Sequence, residues 1–220
     1  MQERVAAVVL AAGMSRRMGR PKALLPLGGL PMIVRVVAPI RSLQSIHPIV
    51  VVTGHQAEQV IGAMDGCDVE FVHNQDYEAG GMLSSVKTGC RAVANRCDSF
   101  FLVLGDQPLV TTQTYRLLCR DMGLWPMPSG LHGPEARVTI TQPTFQGQRG
   151  HPILLSSDCI PQILALPDDA TLKTFTQRID AREIAVHDPA VLSDIDTPLD
   201  YDRAVEQFQA HRSEPCNSKV

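Results

Sequence analysis

Apolar and polar positions in the first hundred residues alternate between two rhythms. Residues 5–10, 49–53, 69–72 and 100–104 are compact runs of mostly Val, Ile, Leu and Phe, the pattern of strands covered on both faces. Between them the spacing turns helical. Pro31 suits the first turn of a helix whose inward face is Ile33, Val36, Val37 and Ile40, and Pro39 is expected to kink or end it. A second helix is predicted over about 83–94, with Leu83, Val86, Cys90 and Val93 inward. Such a βαβ succession calls for an α/β architecture, a parallel sheet with helices on both faces, and ligands beyond the carboxyl ends of the strands.

The pattern changes past the fourth run. Residues 123–134 are rich in Gly and Pro and read as a long loop excursion. Residues 138–141 and 151–155 are expected to pair around 146–150 as a hairpin-like insertion, followed by helical segments near 157–166 and 171–178. The last helix is well signalled: Thr197 as N-cap, Pro198 at the first position and Asp200 closing a capping box, with Tyr201, Ala204, Val205 and Phe208 as its inward stripe. Beyond His211 the periodicity stops. The expectation is one domain over 1–211 and a disordered tail over 212–220, with no internal repeat.

Composition narrows the class. Among 220 residues, 20 basic and 23 acidic side chains leave a formal charge of −3, so no global basic field exists to hold nucleic acid or an anionic membrane. The longest apolar run, residues 5–12, falls far short of the roughly 20 residues of a spanning helix. Glu3 beside Arg4, and the basic stretch that follows at once, argue against a signal peptide. Six cysteines without a C-x-x-C pair fit reduced thiols in a cytoplasmic protein, and seven scattered histidines give no transition-metal spacing.

The near-zero charge hides a polarised chain. Residues 1–22 hold five basic residues against Glu3, whereas 183–206 hold seven acidic residues against Arg203. In the first of these stretches, directly after the first strand, Gly13 and Gly19 permit tight turns with exposed N–H groups, and Arg16, Arg17, Arg20 and Lys22 crowd together. That is how a loop cradles polyphosphate. A solvated basic turn is the bland alternative, and both the P-loop and the dinucleotide fingerprint are absent. Asp106, in Gly-Asp-Gln-Pro at 105–108, stands where a carboxylate at a strand end could hold Mg²⁺, although Asp-x-Pro also makes an ordinary turn. Asp194 and Asp196 precede the last helix, so capping does not account for both.

These segments together resemble the nucleotidyltransferases that act on the molybdenum cofactor, and most nearly its cytidylyltransferases. The motifs are Leu-Ala-Ala-Gly-x-Ser-x-Arg-Met-Gly-x-x-Lys at 10–22, Asn74 with Tyr77, Gly81-Met-x-Ser-Ser at 81–85, Gly-Asp-Gln-Pro at 105–108, Gly-x-Arg-Gly-His-Pro at 147–152 and Asp-Ile-Asp-Thr-Pro at 194–198. The first alone indicates only the wider superfamily; the set is specific.

The resemblance implies a three-layer Rossmann-like fold with a mostly parallel central sheet and a small β insertion. It also implies transfer of CMP from CTP to the terminal phosphate of molybdopterin, with release of pyrophosphate. Arg17, Lys22 and Asp106 would be catalytic. Leu10, Ala11, Ala12, Gly13, Ser15, Arg16, Arg17, Lys22, Ser84, Ser85 and Asp106 would bind the nucleotide. Asp106 and Asp196 would hold Mg²⁺, with Asp194 as a rival to Asp196. Cytidylyltransferases of this family have Ala-Ala-Gly where guanylyltransferases have Ala-Gly-Gly, so Ala12 favours CTP. N-capping of their helix is the alternative reading of Ser84 and Ser85. Gly150, His151 and Pro152 would lie on the acceptor side, His151 without a catalytic role. Guanylyl transfer, and a non-catalytic cofactor carrier for a recipient molybdenum hydroxylase, are the alternatives. Residues 168–173 depart from a Gly-x-Arg element of some relatives, and loop 123–137 matches no known motif.

Overall fold

The computed structural model describes residues 3–122, 140–176 and 181–213. The turn-rich segment 123–137 and the tail over 214–220 lie outside the described residues. β1 (Val5–Ala11) is followed by two short strands, β2 (Pro26–Leu27) and β3 (Leu30–Pro31), and then by α1 (Met32–Arg41), β4 (Ile46–Thr53), α2 (Ala57–Ala63), β5 (Glu70–His73), α3 (Gly81–Val93), β6 (Ser99–Leu104) and α4 (Thr112–Asp121). The second half adds β7 (Ile140–Phe145), β8 (Gln148–Arg149), β9 (Ile153–Ser156), α5 (Ile160–Leu164), α6 (Leu172–Thr176), β10 (Arg182–Ala185) and α7 (Pro198–Ser213).

The strands form one sheet in the order β10-β7-β9-β6-β1-β4-β5, with β8 paired to β7. β6, β1, β4 and β5 run parallel, as the βαβ rhythm predicts. The chain builds outward from β1 to β5 and then returns to lay β6 on the other side of β1. The crevice where strand order reverses therefore lies beyond the paired ends Leu10 and Leu104.

Successive strand residues feed opposite layers. Val5, Ala7, Val9, Val51, Phe101 and Val103 pack against α1, α2 and α4, while Ala6, Val8, Val50, Val52, Phe100 and Leu102 pack against α3, α5 and α6. Burial on both faces is why these strands read as unbroken apolar runs.

Four local expectations change. Helix α1 runs through Pro39 and ends two residues beyond it, at Arg41; the proline forfeits one intrahelical N–H bond in the last turn. The hairpin-like pair forms, but within the main sheet: β9 lies antiparallel between β6 and β7. Strand β10, parallel to β7 at the sheet edge, has no counterpart in the sequence reading; its residues are largely exposed, so it lacks an apolar signature. Helix α7 continues to Ser213, two residues past His211. No helix among the described residues is long and apolar enough to cross a membrane.

Helix α3 lies close against β1 at Gly89, where a Cβ would stand 2.2 Å from Val8 Cγ1 and 3.2 Å from Val52 Cγ2. An exposed helical Gly→Ala change usually gains up to about 1 kcal/mol. Here the added methyl meets a stiff, fully buried side chain, so Gly89→Ala is expected to lower the unfolding free energy by about 1–3 kcal/mol, read from urea denaturation midpoints.

Candidate active site

The loop after β1 enters the crevice through a turn in which Ser15 takes a positive φ of 52° and its carbonyl accepts from Met18 N at 3.0 Å and Gly19 N at 3.2 Å. Ser15 Oγ accepts from Lys22 N at 3.0 Å, which fixes the base of the lysine. Opposite, Gly105 follows β6 and donates its N–H to Leu10 O at 3.0 Å. A Cβ at that position would stand 2.4 Å from Leu10 O, so only glycine lets the two loops approach this closely.

The acidic segment is fastened to the same place by Asp106 and Gln107. Ile195 N donates to Asp106 O at 3.0 Å, and Gln107 Nε2 donates to Asp194 Oδ1 at 2.8 Å and to Val191 O at 3.2 Å. Ile195 is buried with Met32 and Ala204. Its two neighbours, Asp194 and Asp196, line the crevice instead. The predicted capping box forms: Asp200 Oδ2 accepts from Thr197 N at 2.8 Å and Thr197 Oγ1 at 2.7 Å, and Thr197 Oγ1 accepts from Asp200 N at 3.2 Å.

The three chemistry-bearing segments thus meet. Lys22 Nζ donates to Asp106 Oδ2 at 2.5 Å and to Asp196 Oδ1 at 2.9 Å, and Arg17 reaches Asp196 Oδ2 at 2.8 Å. Burial works against the Lys22 charge, but Asp106 and then Asp196 outweigh it and hold the ammonium above its usual range. Burial, followed by the charge of Asp106, raises Asp194 above the ordinary carboxylate range. Asp106 Oδ1 is buried with no hydrogen-bond partner. A carboxylate with one oxygen satisfied and the other orphaned, beside a second carboxylate, suits a hard divalent cation that completes its shell with phosphate and water.

A cavity of about 390 Å³ is lined by Leu10, Ala11, Ala12, Gly13, Ser15, Arg17, Lys22, Ser85, Asp106, Asp194 and Asp196. Two predicted residues stand apart from its lining. Arg16 is exposed, its guanidinium 3.3 Å from Met14 Sδ. Ser84 sits behind: the Asn74 amide donates to Ser84 Oγ at 2.8 Å and to Ser85 Oγ at 3.0 Å, while Ser84 Oγ donates to Gly81 O at 2.9 Å. Helix α3 begins at Gly81, with Gly80 at its N-cap, so neither serine caps it.

Sequence reasoning missed His55 in the lining and the fastening role of Gln107. His55 follows the end of β4, the kind of position the strand-end rule marks. A second cavity, of about 670 Å³, shares Gly81 and Met82 with the first and is lined further by Gln142, Arg149, His151 and residues 168–173. Burial pushes the His151 imidazole down to about 4 against the opposing pull of Asp106, so it is neutral at pH 7.

The domain profile described as MobA-like NTP transferase domain matches residues 7–184. The chain belongs to the MobA-like NTP transferase family. It is a nucleotidyltransferase. This transferase is 29% identical over 202 residues to the molybdenum cofactor cytidylyltransferase of Escherichia coli K12, covering 91% of this chain and 95% of that one. It is 36% identical over 146 residues to the bifunctional protein GlmU of Burkholderia ambifaria, covering 64% of this chain but only 29% of that longer protein. Among solved structures, Rv0371c from Mycobacterium tuberculosis H37Rv superposes with a TM-score of 0.76 at 27% identity, covering 94% of this chain and 100% of that one. A complex of Rv0371c with manganese superposes at 0.70 with 28% identity, covering 92% and 98%.

Gln107→Ala removes both fastenings of the acidic segment made by that side chain. The expected loss is about 1–2 kcal/mol of stability in denaturant unfolding, with faster hydrogen exchange at the Ile195 amide.

Proposed function

We propose that this nucleotidyltransferase moves CMP from CTP to the terminal phosphate of molybdopterin, releasing pyrophosphate and forming a dinucleotide cofactor. The observation that carries the reading is the meeting of Lys22, Arg17, Asp106 and Asp196 in the lining of the smaller cavity. The likeness to the E. coli cytidylyltransferase, which runs nearly the full length of both chains, supports the choice of acceptor and base.

In this reading the triphosphate lies along the loop after β1. N–H groups around Gly13 bind its oxygens, and Arg17 and Lys22 neutralise the charge that develops as the Pα–O–Pβ bond breaks. Asp106 and Asp196 would hold Mg²⁺, with Asp194 beside them, and the manganese complex of Rv0371c supports a divalent ion here. When bound, the ion would polarise the α-phosphate and stabilise the departing pyrophosphate. The attacking phosphate oxygen is already ionised at neutral pH, so no general base is needed. Ala12, 4% exposed, narrows the base site by one methyl relative to glycine. The acceptor occupies the larger cavity, which meets the first at Gly81 and Met82. A recipient molybdenum hydroxylase would take the product.

Pyrophosphate release is expected with CTP, Mg²⁺ and molybdopterin, and turnover with GTP alone would overturn the cytidylyl reading. Asp106→Asn and Lys22→Ala are each expected to lower kcat by about 10²–10³-fold. An Asp106→Ala variant that delivers cofactor undiminished would mark a non-catalytic carrier instead.

Ala12→Gly is expected to narrow the preference for CTP over GTP by about tenfold, the scale of a single methyl in a binding pocket. Parallel kcat/KM measurements with both nucleotides check it.

A further inference from the structure

Helix α3 carries one cation on its buried face. Lys87 is 7% exposed and lies among Leu83, Val86 and Cys90. Burying an ammonium carries a desolvation cost that an apolar side chain of similar volume avoids, so stability alone gives poor reason for a lysine here. Its Nζ donates to Leu166 O at 2.7 Å and to Asp168 Oδ1 at 2.7 Å. The Asp168 side chain is 95% exposed, where an ion pair contributes little; the bond to the Leu166 carbonyl is the anchor.

What the anchor holds is one wall of the larger cavity. Leu166 follows α5, its N–H bonded to Ile163 O, and a turn closed by Ala170 N on Pro167 O leads into residues 168–173. Those residues line the cavity on one side, and Gly81, Met82 and Leu83 of α3 itself line another. Lys87 is not among the lining residues. One ammonium on α3 therefore ties the segment after α5 to the helix that also borders the nucleotide cavity.

We propose that Lys87 is a positioning residue for the second substrate: by fastening residues 166–171 to α3 it sets the spacing of two cavity walls without touching the ligand. This rests on the reading that the larger cavity takes the acceptor. Its consequence is selective. Losing the tie should loosen acceptor binding while the nucleotide side, held by Asn74, Lys22 and the loop after β1, stays as it was.

The test compares the full chain with Lys87→Met, Lys87→Arg and Lys87→Gln, varying CTP and molybdopterin independently and following amide exchange at Ala170. Lys87→Met is expected to raise the acceptor KM by about tenfold or more, in line with the cost of small misplacements of a binding group, with the KM for CTP unchanged. Exchange at Ala170 should quicken. Lys87→Arg, which keeps the cation and its reach, should restore most of the acceptor affinity. Lys87→Gln should show the same selective rise, and serves if Lys87→Met does not fold. An unchanged acceptor KM in a folded, uncharged variant, or equal rises in both KM values, would overturn the proposal. If the wild-type chain uses no molybdopterin, the acceptor reading has failed; exchange at Ala170 then still tests the tie, and unaltered exchange in Lys87→Met overturns that as well.

Discussion

Everything at the centre of this protein turns on the Lys22 ammonium held between Asp106 and Asp196. Two carboxylates drawn from segments ninety residues apart repel each other when they converge in a partly dehydrated crevice. Lys22 makes their approach tolerable, and Arg17 adds a second positive charge on Asp196. A basic loop and an acidic segment, each costly in isolation, thus become one nearly neutral cluster. The arrangement also leaves Asp106 Oδ1 without a partner, so the cluster is complete in charge yet open in coordination.

That cluster depends on the topology more than on any local preference. Reversal of strand order between β1 and β6 puts the loops after both strands at one crevice, and Gly105 lets their backbones approach to a hydrogen bond. The acidic segment arrives by a different route: Ile195 enters the core beside Met32 and Ala204, and this fixes Asp194 and Asp196 on the side facing the crevice. Core packing therefore sets the carboxylate positions, and the Thr197–Asp200 capping box holds the backbone just beyond them.

How much of this could be read from the residues follows the same physics. The four parallel strands were legible because burial on both faces demands unbroken apolar runs, and the capping box because its chemistry is local. The convergence of residues 10–22, 105–108 and 194–198 was legible because strand ends and charge polarity point to one place. Strand β10 was not: an edge strand exposed on most of its residues has no apolar pattern to betray it. Gln107 and Lys87 were missed for a related reason. A polar side chain that acts by reaching a distant backbone carbonyl leaves no periodic trace, and on α3 the apolar spacing concealed a buried lysine among its core positions.

Joining two phosphates places a particular demand on such a scaffold. Both reactants are anionic, so each needs its own site, yet their reacting atoms must meet at one point. Two cavities that share only Gly81 and Met82 fit that demand. The shared border lies at the start of α3, the helix that is pressed on β1 at Gly89, linked through Ser84 and Ser85 to Asn74, and tied by Lys87 to the segment after α5. On the proposed reading, the rigidity of that one helix keeps the two substrates in register, while the Lys22 cluster supplies the charge that lets their phosphates approach.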